Sequence, residues 1–310
     1  MKQKTLFINI LLIVLVFSLY IGSAVFMSFP EITPEQQASV EVDSQHKEDV
    51  VEPKKETNED GIERYDEEPE REGEVSPRST YSLSLPSVIR SDQMLSNTLK
   101  KTDKQPYSYF DDALFIGDSV GIGLQNYVTE KRKTDKSFMG KARFLCVGSY
   151  GVYEATRSPD DEKSIHKIIG GEKKPPSYFI KEYNSSKVFI CLGLNDVGLY
   201  SKKEYIENYL NLVTNIREAA PDVQIIIQSI TPVTLYGERR TLYNSKIDEY
   251  NEALAEFSAT NGCFFADIGL MLKDKAGYLA AQLSSDDYCH LETEAYDIWI
   301  DYLLTHAVGL

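Results

Sequence analysis

The chain alternates short apolar runs with segments whose apolar residues return every three or four positions. Ala113-Leu114-Phe115-Ile116 is wholly apolar, and Val120, Ile122, Leu124, Tyr127 and Val128 come after it at helical intervals. The first reads as a buried strand and the second as an amphipathic helix. The alternation then repeats. Ala142-Arg143-Phe144-Leu145-Cys146-Val147 predicts a second strand and Lys187-Val188-Phe189-Ile190-Cys191-Leu192 a third, apolar after its first residue, as suits a central parallel strand covered on both faces. Tyr205, Tyr209, Leu212, Val213 and Ile216 mark a helix that stops before Pro221, and Val223-Gln224-Ile225-Ile226-Ile227 a fourth strand. Tyr243, Ile247, Tyr250, Leu254 and Phe257 predict a long helix closed by Asn261-Gly262; Cys263-Phe264-Phe265-Ala266-Asp267 is a fifth strand; and Ala295, Ile298, Trp299, Tyr302 and Leu303 form a last helix. Strands alternating with helices of this length imply an α/β domain, a flavodoxin-like three-layer α/β/α fold with a five-stranded parallel sheet. Residues 152 to 175 break the pattern. They are polar, punctuated by Ser158-Pro159 and Gly170-Gly171, and read as an excursion at the sheet edge with a short helix near Ile165 to Ile169.

The amino-terminal third is of a different kind. No charged residue occurs from Thr5 to Met27, a run long enough to cross the roughly 30 Å hydrocarbon core as a helix. Lys2 and Lys4 precede it and Glu31 and Glu35 lie beyond it, so the distribution of charge puts the amino terminus inside and the rest of the chain outside. A cleavable signal peptide ending near Gly22-Ser23-Ala24 is the competing reading; its apolar core would be longer than the usual ~7–15 residues. Both readings export the remainder of the chain. Residues 31–80 hold 17 Asp and Glu against 6 Lys and Arg, with almost no large apolar side chain, and so read as a disordered acidic tether. The expected organisation is therefore a cytoplasmic stub and transmembrane signal anchor over residues 1–30, the tether over 31–80, and one domain over 81–310 that opens with an aperiodic lead-in. Of the net charge of −15, most lies in the tether. The one dense basic cluster, Lys131-Arg132-Lys133, reads as a solvated helix end, which argues against a nucleic-acid partner. The four cysteines have no Cys-x-x-Cys spacing and lie mostly in apolar runs, as buried thiols do, although an exported chain could oxidise a pair.

Four places carry candidate chemistry. Gly117-Asp118-Ser119 sits at a strand-to-helix turn, where a serine at the helix amino terminus faces the carboxyl edge of the sheet. Gly193-Leu194-Asn195-Asp196 closes the third strand, and Gly148-Ser149-Tyr150-Gly151 the second. Asp286-Asp287-Tyr288-Cys289-His290 precedes the final helix, and Asp287, three residues before His290, is near enough for a loop to turn its carboxylate onto the imidazole. His166 and His306 read as ordinary surface residues. Ser149 is a poor nucleophile elbow because Val147 stands where Gly-x-Ser-x-Gly needs its first glycine. No His/Asp/Glu cluster has metal-ligand spacing, so neither a metal nor another cofactor is expected.

From about residue 111 to 306 the chain resembles the SGNH (GDSL) hydrolase superfamily, whose four blocks occur in order: Gly117-Asp118-Ser119, a glycine after the second strand, Gly193-Leu194-Asn195-Asp196, and Asp287-Tyr288-Cys289-His290. Gly151 fits the second block better than Gly148, and Val120 stands where the family commonly has Leu. The resemblance implies a serine esterase with Ser119 as nucleophile, His290 as base and Asp287 as its acidic partner. It further implies an oxyanion hole made by the N–H groups of Ser119 and Gly151 and the Asn195 amide, with Asp118 and Asp196 bracing loops. The expected substrates are O-acyl esters, O-acetyl foremost, on a surface glycan or a small molecule, met by a domain tethered to the outside of the membrane. An O-acyltransferase with the same triad and a non-catalytic glycan-binding domain are the alternatives.

Overall fold

The computed structural model describes residues 97–309. The anchor and tether expected over residues 1–80 lie outside the described residues, as does most of the lead-in. Among the described residues no helix is long and apolar enough to cross a membrane. Five parallel strands build the main sheet: β1 (Ala113–Gly117), β2 (Arg143–Cys146), β5 (Lys187–Cys191), β6 (Gln224–Gln228) and β7 (Phe264–Ala266), in the spatial order β2-β1-β5-β6-β7. Among the described residues the α-helices that connect or extend them are α1 (Ser119–Thr134), α2 (Val152–Thr156), α3 (Pro176–Glu182), α4 (Lys202–Ala219), α5 (Asn244–Thr260) and α6 (Thr293–Thr305). All five strands lie where the apolar runs place them. The order reverses at β1: the chain steps from β1 outward to β2, then returns to the other side of β1 for β5, β6 and β7. A doubly wound sheet opens a crevice at such a point, outside the carboxyl ends of the two strands involved.

The strict alternation of side chains gives the sheet two apolar faces. Leu114, Ile116, Leu145, Val188, Ile190, Ile225 and Ile227 face α4 and α5. Phe115, Phe189, Ile226 and Ala266 face α1 and α6. On this second face Phe144, Phe115 and Phe189 stand side by side in register and stack, with ring centroids 5.3 and 4.7 Å apart. One pleat further toward the carboxyl ends the same row reads Cys146, Gly117, Cys191. Gly117 has no side chain, so α1 closes tightly over it: a Cβ there would lie 3.2 Å from the Gly121 Cα. Two strand spacings separate Cys146 from Cys191, about 9.5 Å, beyond the ~7 Å reach of a disulfide. All four cysteines are free thiols.

Local sequence fixes the ends of the elements. Ser201 and Glu204 form a reciprocal capping box that starts α4. Arg132, read as part of a solvated basic helix end, is half-buried and donates to the carbonyls of Phe138, Met139, Gly140 and Ala142, gathering the loop from α1 into β2. The polar excursion also differs from its sequence reading. Gly170 and Gly171 both take positive φ, 60° and 86°, and allow a two-residue reversal that pairs β3 (Ile168–Ile169) antiparallel with β4 (Glu172–Lys173) in place of a helix. His166 is buried, not at the surface. Its Nε2 lies 2.8 Å from the Arg157 carbonyl, which can only accept, so Nε2 carries the proton and Nδ1 accepts from the Tyr150 hydroxyl at 2.8 Å. Burial pushes its pKa down and keeps it neutral. His306 is half-buried and stacks on Tyr302 with centroids 4.0 Å apart.

The central aromatic row sets the stability of the sheet beneath the site. Phe115 is 3% exposed and is held on both sides by rings. Phe115→Ala is expected to lower the unfolding free energy by about 3–5 kcal/mol, read in urea as a lower midpoint at unchanged slope.

Candidate active site

Ser119 is the first residue of α1 and comes after β1 with one residue between. That residue, Asp118, caps the helix: its Oδ1 accepts from the Val120 N–H at 2.9 Å. Its Oδ2 accepts from the Asn195 side-chain amide at 3.1 Å, which ties the turn after β1 to the turn after β5 across the crevice. Asp118 is only 3% exposed; burial raises its pKa to about 6 against the backbone donors and the nearby imidazole, which lower it.

A second buried carboxylate does the same for the turn after β2. Asp196, fully buried, accepts from the Val152 N–H with both oxygens, at 3.0 and 2.9 Å, at the start of α2. Gly151 is the residue before that helix, and a Cβ there would meet the Asp196 carboxylate at 2.7–2.9 Å. Only glycine fits. The turns after β2, β1 and β5 are thus brought to one edge, carrying Gly151, Ser119 and Asn195. Ser149, in contrast, stands exposed with φ 59° in the turn before Gly151.

His290 reaches this edge from the loop before α6. Its Nε2 lies 3.0 Å from the Ser119 Oγ, and its Nδ1 lies 2.5 Å from Asp286 Oδ2. The carboxylate on the imidazole is therefore Asp286, four residues before the histidine, and not Asp287, the residue expected there. The local backbone explains the difference. Asp286 Oδ1 accepts from the N–H groups of Tyr288, Cys289 and His290 at 2.9–3.1 Å, so the side chain closes a tight turn and its other oxygen meets the ring. Asp287 occupies the turn with φ 55°, a left-handed conformation that Asp tolerates, and its carbonyl accepts from the Thr234 hydroxyl. Its carboxylate stands in solvent. Burial pushes the Asp286 pKa up, but the His290 hydrogen bond, the backbone donors and the imidazole charge outweigh it and hold the group below the ordinary carboxylate range.

A charged Asp286 can only accept, so Nδ1 carries the imidazole proton and Nε2 is left as the acceptor for the Ser119 hydroxyl. That arrangement can take a proton from Ser119 and stabilise the imidazolium that results. Cys289, next to His290, is buried, and its thiol is pushed up to about 12 by burial and then by the Asp286 and Asp118 charges. Its Sγ is 4.0 Å from His290 Nδ1. With Asp286 it completes a trio whose donor atoms all lie within 4.8 Å of one another. The trio escaped the sequence because its spacing, three residues and then one, matches no familiar ligand pattern.

Asp196 also makes the edge sensitive to pH. Burial raises its carboxyl to about 7, against the backbone donors of Val152 and Tyr153, which lower it, so from about pH 4 to 7 the folded chain holds a proton that the unfolded chain has lost. Stability from this group is thus lost as pH rises through that window. Between pH 5 and 8 it should fall by about 2–3 kcal/mol more in the native sequence than in Asp196→Asn, measured by urea unfolding at the two pH values.

Among curated proteins, none matches the chain. Among solved structures, the periplasmic domain of a lipopolysaccharide acetyltransferase from Salmonella ser. Paratyphi A is 18% identical, with 70% of this chain and 88% of that one covered and a TM-score of 0.46. A GDSL-like lipase from Bacteroides thetaiotaomicron VPI-5482 is 16% identical over 61% of this chain and 84% of that one, with a TM-score of 0.45. A carbohydrate esterase family 3 protein from Talaromyces cellulolyticus is 15% identical over 62% and 93%, with a TM-score of 0.41. The model of the GDSL-like Lipase/Acylhydrolase family matches residues 115–298, more than half of the chain and all of the edge from β1 to α6, and the chain belongs to that family.

Proposed function

We propose that the protein is a serine esterase that removes O-acyl groups, acetyl foremost, from esters outside the cell membrane, in the first place those on surface glycans. The observation that carries the catalytic part is the unbroken line from Asp286 through His290 to Ser119, with contacts of 2.5 and 3.0 Å. As the Ser119 Oγ attacks the ester carbonyl, its proton passes to His290 Nε2, and Asp286 stabilises the doubly protonated ring. The carbonyl oxygen takes on negative charge among the N–H groups of Ser119 and Gly151 and the Asn195 amide. That amide has two N–H bonds, and Asp118 engages one. His290 then returns the proton to the departing alcohol, and water repeats the sequence on the acyl-serine.

Two features support the substrate class. The His290 side chain is 43% exposed and that of Asp286 34%, so the side from which the alcohol departs is open to solvent and can accept an ester borne on a polymer. The apolar run at residues 5–27 and the acidic stretch after it fit a domain held outside the membrane on a long tether.

The test is hydrolysis of p-nitrophenyl acetate and of an O-acetylated glycan by the full-length protein. Ser119→Ala should lower turnover by roughly 10⁴–10⁶-fold, and Asp286→Asn by about 10⁴-fold. Asp287→Asn should stay within a few-fold of the native rate, because its side chain faces solvent. Equal rates for Ser119→Ala and the native protein, or a larger loss at Asp287 than at Asp286, would overturn the assignment. Release of acetate at the same rate with and without a glycan acceptor identifies water as the acyl acceptor.

A further inference from the structure

We propose that Asp286, Cys289 and His290 form a binding site for a soft divalent cation of the Zn²⁺ type, and that occupancy of this site switches the triad off. The donors are one carboxylate oxygen, one thiol sulfur and one imidazole nitrogen, a set that suits zinc and not magnesium or calcium. They lie within 4.8 Å of one another, with Sγ to Nδ1 at 4.0 Å and Nδ1 to Oδ2 at 2.5 Å. Tetrahedral Zn²⁺ separates such donors by about 3.4–3.6 Å. Binding therefore requires the sulfur to move in and the carboxylate to move out, each a small side-chain shift. Asp286 is exposed and His290 partly so, which leaves a route for the ion and for a water in the fourth position.

The inhibitory consequence comes from the tautomer. In the free site Nδ1 carries the ring proton and Nε2 accepts from Ser119. A cation on Nδ1 takes the lone pair that the proton held, so in the neutral ring that proton resides on Nε2. An Nε2–H cannot accept the Ser119 proton, and Asp286, now a metal ligand, no longer supports an imidazolium. The balance is closed: the cation gains three protein ligands, the ring proton changes nitrogen, and the Cys289 thiol releases one proton to solvent. Two anionic ligands neutralise the double charge. The inhibitory half rests on the esterase reading above; the binding half does not.

The experiment titrates the full-length protein with Zn²⁺ and, in parallel, with Co²⁺ as a spectroscopic substitute, each against Mg²⁺ at equal concentration. Expected are one proton released per Zn²⁺ bound, a cobalt–thiolate absorption band, and loss of ester hydrolysis that a chelator restores, with no effect from Mg²⁺. Ser119→Ala should keep the band and the proton release, so a failure of the esterase reading leaves the metal result intact. Cys289→Ser should lose both, and its residual hydrolysis should no longer respond to Zn²⁺ as the native protein does. Should that variant not fold, X-ray absorption of the zinc-loaded native protein decides, with one sulfur at about 2.3 Å and nitrogen or oxygen at about 2.0–2.2 Å expected. No proton release and no thiolate band in the native protein, both retained in a folded Cys289→Ser variant, or a zinc shell without sulfur would overturn the site. Binding without inhibition would overturn its coupling to the triad.

Discussion

Two buried carboxylates hold the working edge of this sheet together. Asp118 accepts from the first turn of α1 and from Asn195; Asp196 accepts from the first turn of α2. Between them they join the turns after β2, β1 and β5, three segments far apart in the chain and adjacent only because the strand order reverses at β1. Taking two acidic groups out of water is costly unless every oxygen finds a donor. Here the donors are largely backbone N–H groups at helix starts, which have no partner within their helices and carry the positive end of the helix dipole. Each carboxylate meets a need of the helix while the helix meets a need of the carboxylate. The cost that remains is visible as carboxyl groups raised to about 6 and about 7.

Small residues are what let these carboxylates come so close. Gly151 gives Asp196 room to sit against the backbone of α2, and Gly117 lets α1 rest directly on β1, so that Ser119 stands at the mouth of the crevice and not a side-chain width above it. Gly193, with φ 149°, turns the chain out of β5, and a Cβ there would press on Ile230 and the Tyr205 hydroxyl at 2.5 Å. The stacked phenylalanines lie one row deeper on the same face as Gly117. Packing and site geometry are thus the same problem at this edge.

Much of this was legible in the residue order. All five main strands and the four long helices are predicted by apolar runs and their periods, because a sheet covered on both faces must be apolar on both. Ser119, Asn195, Gly151 and His290 could be singled out because each closes or precedes a regular element. The acid on the imidazole could not be read correctly. Asp286 and Asp287 are chemically identical neighbours, and the choice between them lies in a turn where one residue takes a left-handed conformation and the other accepts three backbone N–H groups. Sequence offers no period for such a turn. The glycine pair at 170–171 did carry a hairpin signal, two residues both able to take positive φ, but the strands it joins are two residues long and have no pattern of their own. The burial of His166 is illegible for a related reason: a polar segment gives no hint that one of its members is drawn under Tyr150.

The loop that carries His290 is secured differently from the turns that carry the other three groups. Those are fixed from beneath by buried carboxylates. The His290 loop is held from the side: the Thr234 N–H donates to the Tyr288 carbonyl at 2.9 Å, the Thr234 hydroxyl donates to the Asp287 carbonyl, and the Ser285 N–H donates to the His290 carbonyl at 2.9 Å. Thr234 belongs to the segment leaving β6, so the fourth strand of the sheet sets the position of the imidazole just as the first three set the serine, the glycine and the amide. The consequence is a division by environment. The serine, the glycine and the amide rest on a dry, densely packed floor where a displacement would expose unpaired charge. The imidazole and its carboxylate lie at the rim, partly exposed to solvent and anchored through backbone carbonyls and through the three backbone N–H groups that Asp286 Oδ1 accepts. An edge built in this way is rigid where it holds the serine, the glycine and the amide, and leaves the imidazole and its carboxylate accessible from outside.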